Sequence, residues 1–193
     1  MAPSIRRLAP VDIDRQLSRC VLIGARRTPT QDLEFPLRHL TDVALRALSP
    51  GINDANTAIV VIDRLRGALS VLMSKSLPTA VHRDPQGTVR VVGQYNSYRG
   101  LLDSALHQIR QSAAPQSAVI ITLLTALGRI AEHVRLPEQK DALLCHLHLV
   151  AAAGLRHVEE PLDRADIESA LAASREKLER CLAGQGLSAM RQN

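Results

Sequence analysis

Aromatic side chains are nearly absent from this 193-residue chain, which contains one Phe, two Tyr and no Trp. Sandwiches and barrels rely on aromatic and β-branched strand residues, so this scarcity argues against both architectures. It also leaves too few rings for stacking the bases of a single-stranded nucleic acid. Leucine and alanine, with 29 and 25 residues, supply more than a quarter of the chain, and both residues favour helix. The composition therefore predicts a mostly helical protein.

Cysteine motifs and long apolar runs are missing as well. Cys20, Cys145 and Cys181 lie far apart without any CxxC pair, so we expect neither a disulfide framework nor a structural zinc. The N-terminus lacks the apolar stretch of a signal peptide. The uncharged stretch 112–128 contains a proline and falls short of the about 20 apolar residues that cross a bilayer. We therefore expect no metal, no cofactor and no membrane span within these residues, and a reducing compartment.

Positive charge is concentrated at the N-terminus. Residues 1–30 carry six arginines and two aspartates, a net charge of +4, whereas residues 31–193 carry 18 basic and 17 acidic groups, a net charge of +1. Arginines beside a bilayer favour its anionic cytoplasmic leaflet, and a solvated segment is the alternative interpretation. A nucleic-acid-binding surface would be spread more widely, so no specific nucleic acid is expected. The membrane-surface candidates are Arg6, Arg7, Arg15, Arg19 and Arg26.

Apolar spacing predicts helices along most of the chain. The first covers residues 12–25, with Ile13, Leu17, Cys20 and Val21 on one face, and the second runs from Pro36 to Leu48, with the proline in its first turn. Five more follow, and the last is expected to end near Leu182 because glycines stand at 184 and 186.

The segment 79–92 is typical of a β-hairpin, with two short strands around a four-residue turn. An isolated hairpin is marginally stable, so we expect it to lie against the helices. The sequence thus predicts a mostly α fold, a helical bundle of about six helices with one small β-hairpin. We expect one helical domain over residues 12–183, a flexible N-terminus at 1–11 and a disordered tail at 184–193.

The most distinctive motif lies between residues 27 and 58. Its charged residues at 34, 38, 42 and 46 alternate in sign four residues apart, which stacks them on one helix face where each pair contributes a few tenths of a kcal/mol. A solvated salt-bridge face is the simplest interpretation. The alternatives are a polar network between helices, or a binding site at the 49–54 turn, where a capped helix N-terminus could receive an anion. The candidate residues are Arg27, Thr28, Gln31, Asp32, Arg38, Asp42, Arg46, Ser49, Asn53 and Asp54.

Histidines give weaker signals. Cys145, His146 and His148 are close in sequence, but positions i and i+2 of a helix face different sides and do not converge on one metal. Four other histidines have no partner that the sequence reveals, namely His39, His107, His133 and His157. We therefore expect ordinary helix positions here, and no catalytic residue is predicted.

The 27–58 motif closely resembles the C-terminal soluble part of a family of predicted bacterial membrane proteins, domain of unknown function 2254. The resemblance extends over about residues 12–183, and Pro36 stands where the family usually has glycine. The matching residues are Arg27-Thr28, Gln31-Asp32, Phe35, 37–40, Asp42, 44–50, 52–54 and Thr57-Ala58, followed by 62–65, 89–92 and 108–110.

This resemblance implies a domain attached to a membrane protein, because family members carry several transmembrane helices ahead of it. We expect a fragment or a free-standing relative on the cytoplasmic side, with the membrane as a partner, through the missing spans or the basic surface. Self-association is expected if the first helix exposes apolar surface. An assembly, regulatory or ligand-sensing role is expected, with the ligand unknown. The alternatives are an enzyme of unknown class that uses the polar motif from Thr28 to Asp54, and a nucleic-acid binder through residues 1–30.

Overall fold

The computed structural model describes residues 15, 18, 19, 32–93 and 95–190, with side chains as far as 181. In these residues, six α-helices and one two-stranded antiparallel hairpin confirm the predicted bundle. The helices are α1 (Glu34–Ala47), α2 (Ala55–Met73), α3 (Tyr98–Ala113), α4 (Ser117–Ile130), α5 (Pro137–His157) and α6 (Pro161–Met190). The strands β1 (Val81–Arg83) and β2 (Val89–Val92) lie between α2 and α3, and a 3-10 turn at Ala131–His133 follows α4.

Helix α4 lies at the centre of the bundle. Its Val119, Ile120, Leu123, Leu124 and Leu127 are fully buried, and it packs against α2, α5 and α6. Helix α1 packs on α2 and α3, and α3 in turn packs on α5. Because α1 and α3 are neighbours, the family motif on α1 faces residues that lie about 60 positions later in the chain.

Local sequence signals mark the helix starts. The Asp54 side chain accepts a hydrogen bond from the Thr57 amide at the start of α2, and Ser97 accepts one from the Gly100 amide at the start of α3. Such caps satisfy amide groups that have no intrahelical partner. Helix α1 begins at Glu34, two residues before the predicted start, and still holds Pro36 in its first turn, where no hydrogen bond is lost.

The predicted first helix, residues 12–25, falls largely outside the described residues. Arg15, Ser18 and Arg19 are described, and they are helical and exposed. At the other end, α6 continues to Met190, so the predicted end near Leu182 is wrong. A glycine inside a helix costs only about 1 kcal/mol relative to alanine, and Gly184 and Gly186 do not end this long helix.

The hairpin does not pack on the helices as predicted, because all seven strand residues are exposed. Its stabilising contacts are local and polar. Asp84 accepts hydrogen bonds from the amides of Gln86 and Thr88 and from the Arg90 guanidinium. The Thr88 amide first, and then Arg90, hold the pKa of Asp84 below its usual value. The expectation was wrong because this turn supplies its own hydrogen bonds.

Candidate functional site

The two aspartates at the ends of the family motif cap different helices. Asp32 Oδ1 accepts from the amides of Glu34 and Phe35, at 3.0 and 3.3 Å, at the start of α1. Asp54 accepts from the Thr57 hydroxyl and amide at the start of α2, and these bonds lower its pKa. Helix α1 lies between them, and its 14 residues span about 21 Å. These carboxylates therefore do not form one acid–base pair.

The turn between α1 and α2 has its polar groups engaged in structural hydrogen bonds. Ser49 Oγ donates to the Arg46 carbonyl at 2.7 Å, and Asn53 Oδ1 accepts from Gln116 Nε2 at 2.9 Å. Asn53 has a φ of +48°, a left-handed conformation that asparagine tolerates better than most residues. Three further motif candidates, Arg27, Thr28 and Gln31, lie outside the described residues.

The alternating charges on α1 are only partly paired. Arg38 and Glu34 form an ion pair at 2.5 Å. Among the residues that the structure describes, neither Asp42 nor Arg46 has an ion-pair partner within 4.0 Å. The face is thus more than a row of solvated salt bridges, since Arg38 and Asp42 project into a cleft.

An open cleft of about 790 Å³ lies between α1 and α3. Leu149 of α5 adds an apolar side chain to its lining. Beneath the cleft, the buried Thr41 hydroxyl donates to the carbonyls of Leu37 and Ala105, each at 3.0 Å, which joins the two helices. The remaining lining residues are Arg38, Thr41 and Asp42 from α1 and Arg99, Asp103, Ser104, His107 and Gln108 from α3. We refer to this site as the α1–α3 cleft.

The α3 wall of the cleft was not predicted from the sequence. Arg99, Asp103 and His107 recur every four residues, the same spacing that drew attention to α1, and this signal could have found them. Arg99 and Asp103 are loosely paired at 3.9 Å. His107 Nδ1 lies 3.3 Å from a guanidinium nitrogen of Arg110. Arginine and aspartate side chains therefore face the same open volume from both walls.

A buried histidine lies directly behind this wall. His146 on α5 is 1% exposed, and its Nε2 lies 3.1 Å from Asp103 Oδ1, within ion-pair distance but without hydrogen-bond geometry. Burial lowers the pKa of His146, the Asp103 charge opposes that shift, and the Arg99 and Arg110 charges add to it. His148 is exposed, so the two histidines face different sides of the helix, as predicted.

The unfolding free energy should fall as the pH drops below about 6.5, the ordinary pKa of histidine. The folded protein holds the pKa of His146 lower, so the unfolded chain takes up the proton first and is favoured. One such group changes the unfolding free energy by at most about 1.4 kcal/mol per pH unit. Urea titrations between about pH 5 and about pH 8 measure this slope, which His146→Gln should reduce.

His148→Gln on the same helix is the matched control, because the His148 side chain is exposed whereas that of His146 is buried. This control should keep the wild-type slope. If His146→Gln and wild type showed equal dependence of the unfolding free energy on pH, the lowered pKa of His146 in the folded protein would be contradicted.

Fold and site together define a mostly helical bundle with one β-hairpin and a polar cleft between two helices. Among the described residues, no helix is long and apolar enough to cross a membrane, and no three or more His, Cys, Asp or Glu side chains are placed to hold a metal ion. The sequence pattern of the family described as predicted membrane protein, domain of unknown function 2254, matches residues 4–129. The chain belongs to this family. The match includes both charged walls of the cleft, whereas His146 lies beyond it.

Three uncharacterised mycobacterial proteins are similar to the chain. One is from Mycobacterium bovis and two are from strains of Mycobacterium tuberculosis, and each is 37% identical over 169 residues. The alignment covers 88% of this chain and 32% of each relative, so the chain spans about a third of their length. No solved structure matches it at a significant level.

Proposed function

We propose that this chain is the cytoplasmic ligand-sensing domain of a membrane protein, and that the α1–α3 cleft binds a small zwitterion of the size of an amino acid. The observation that carries the proposal is the mixed charge of this cleft, in which Arg38 and Arg99 face the same volume as Asp42 and Asp103. Its size lies within the range of about 300–1,000 Å³ typical of small-molecule sites.

The pairing of these charges supports a ligand that carries both signs. Asp42 has no ion-pair partner within 4.0 Å among the described residues, so it is available to a ligand ammonium group. Arg99 is only loosely paired with Asp103, at 3.9 Å, so its guanidinium is available to a ligand carboxylate in a two-bond geometry. A purely anionic or cationic ligand would leave one of these groups uncompensated.

The position of the cleft supports a sensing role. Its two walls belong to different helices, so a ligand that contacts both favours the conformations in which α1 and α3 lie close together. Helix α1 begins at Glu34, directly after the basic N-terminal segment. Family membership supports membrane association, and the arginines in 1–30 support the cytoplasmic side. Attachment through spans elsewhere in the full-length protein and self-association remain predictions.

A binding screen with the twenty common amino acids, followed by calorimetry, tests this proposal. Asp42→Asn and Arg99→Gln should each weaken the affinity for the best compound about 10- to 100-fold, because each removes a charged hydrogen-bonding group worth about 1.5–3 kcal/mol. Asp166→Asn is the matched control, since Asp166 is an exposed carboxylate on α6 outside the cleft lining. Binding of no compound, or equal affinity of Asp42→Asn and Asp166→Asn, would contradict the proposal.

A further inference from the structure

A second depression in the bundle is almost purely apolar. It measures about 470 Å³ and lies between the first turns of α1 and the end of α2. Leu33 and Val71 line it and are 44% and 61% exposed, and an exposed apolar patch of this kind marks a site of interaction. We call this surface the apolar groove, and its lining includes Leu33, Leu37, Leu40, Val71 and Leu72, with Lys75 beside them.

We infer that the apolar groove is the docking site of this chain's own residues 12–25. Spacing predicts an amphipathic helix there, with Ile13, Leu17 and Val21 on its apolar face. Arg15, Ser18 and Arg19, which the structure describes, are helical and exposed, as the polar face of a docked helix must be. An apolar helix face and an apolar groove thus occur in the same chain.

The chain connecting them has a suitable length. Residues 26–31 separate the predicted helix from Asp32, and six residues reach at most about 20 Å. Leu33 itself lines the groove, so the connection ends directly beside the surface on which the predicted helix would dock. A short connection between two helices favours antiparallel packing of the neighbours, and here it would place residues 12–25 along α1 and the end of α2.

The covalent connection through residues 26–31 favours residues 12–25 over other occupants of the groove. A short connection gives a local concentration in the millimolar range, which an untethered second copy or a bilayer does not match in dilute solution. Docking through the apolar face also leaves Arg15 and Arg19 facing outward, in agreement with their exposure. The inference is independent of the cleft and its ligand.

Cys20 provides a native probe, because it lies on the apolar face of the predicted helix. In the full-length chain with Cys145→Ser and Cys181→Ser, Cys20 is the only thiol. We expect dilute folded protein to react with a maleimide at least about tenfold more slowly than the same protein in urea, because groove contacts exclude the reagent.

Val71→Asp should abolish this protection, raising the labelling rate of Cys20 about tenfold, because docking would bury a carboxylate against apolar side chains. Val60→Asp is the matched control. Val60 is on the same helix and is 60% exposed, but it does not line the groove, so its substitution should leave the rate unchanged. Both valines are largely exposed, so neither change should unfold the bundle.

Equal labelling rates in Val71→Asp and Val60→Asp, or no protection in the folded protein, would overturn the inference. If the protection of Cys20 from the maleimide rises with protein concentration, the predicted helix docks on a second copy of the chain instead. If Cys20 is protected only when phosphatidylglycerol vesicles are present, and not with phosphatidylcholine vesicles, the predicted helix binds an anionic bilayer instead. Either result also overturns docking in the groove.

Discussion

Replacing Gly128 with alanine should destabilise the bundle by about 1–3 kcal/mol, the usual cost of overpacking a core. A Cβ at this position of α4 would lie 2.6 Å from Ser174 Oγ, 2.9 Å from its Cβ and 3.1 Å from its Cα. Rotation of the serine side chain relieves only the first contact, so the backbone of α6 has to move. Ser174 Oγ would also lose its hydrogen bond to the Leu124 carbonyl, now 2.9 Å long. Urea unfolding monitored by circular dichroism measures the change.

Gly67→Ala is the matched control within another helix. Apart from the adjoining backbone of its own helix, nothing lies within 4 Å of a Cβ built at Gly67 on α2, and alanine is the better helix former. This substitution should therefore stabilise the protein by up to about 1 kcal/mol. If Gly128→Ala were neutral or stabilising as well, the close contact of α4 with α6 would be contradicted.

Gln139→Leu should cost about 3 kcal/mol, because three backbone groups lose their partner at once. Gln139 is 1% exposed. Its Nε2 donates to the Met73 carbonyl at 3.0 Å, and its Oε1 accepts from the amides of Arg135 and Leu136 at 2.7 and 3.0 Å. One side chain thereby joins the end of α2 to the start of α5. Leucine has a similar size but no polar atom, so all three groups would lose this hydrogen-bond partner, and the bond to the Met73 carbonyl is a buried one.

Gln111→Leu is the control for this second prediction, because Gln111 is exposed on α3 and surface substitutions usually change stability by less than about 0.5 kcal/mol. Thermal and urea unfolding of both variants give the comparison. A cost for Gln139→Leu no larger than that for Gln111→Leu would show that the α2–α5 connection does not depend on this amide.

Local signals accounted for most of the fold. The helix starts near Asp54, Ser97 and Pro137 were predictable because caps and first-turn prolines act on neighbouring residues. The hairpin was predictable from its strand and turn residues. Its failure to pack on the helices was not, because the polar turn around Asp84 makes the ribbon less dependent on tertiary contacts. The end of α6 was misplaced because two glycines weaken a helix without having to end it.

One wall of the candidate site, on α1, was predictable from the sequence, and the other wall was not. Arg38 and Asp42 stood out through their spacing on one helix, whereas the facing Arg99 and Asp103 were not associated with them. Nothing in a local pattern indicates that α1 and α3 are neighbours. For the same reason, the sequence could not reveal that His146 lies behind Asp103.

The sequence alone determined the helical class, the approximate positions of the helices and the family, because these depend on residue type and on spacing along the chain. Only the tertiary structure decided which polar side chains share a cleft, which ones are buried and where an apolar groove remains open. Those properties arise when helices distant in sequence pack together, as α1 does with α3 and α4 does with α6. Such packing depends on the shape and burial of whole surfaces, which a local pattern does not contain.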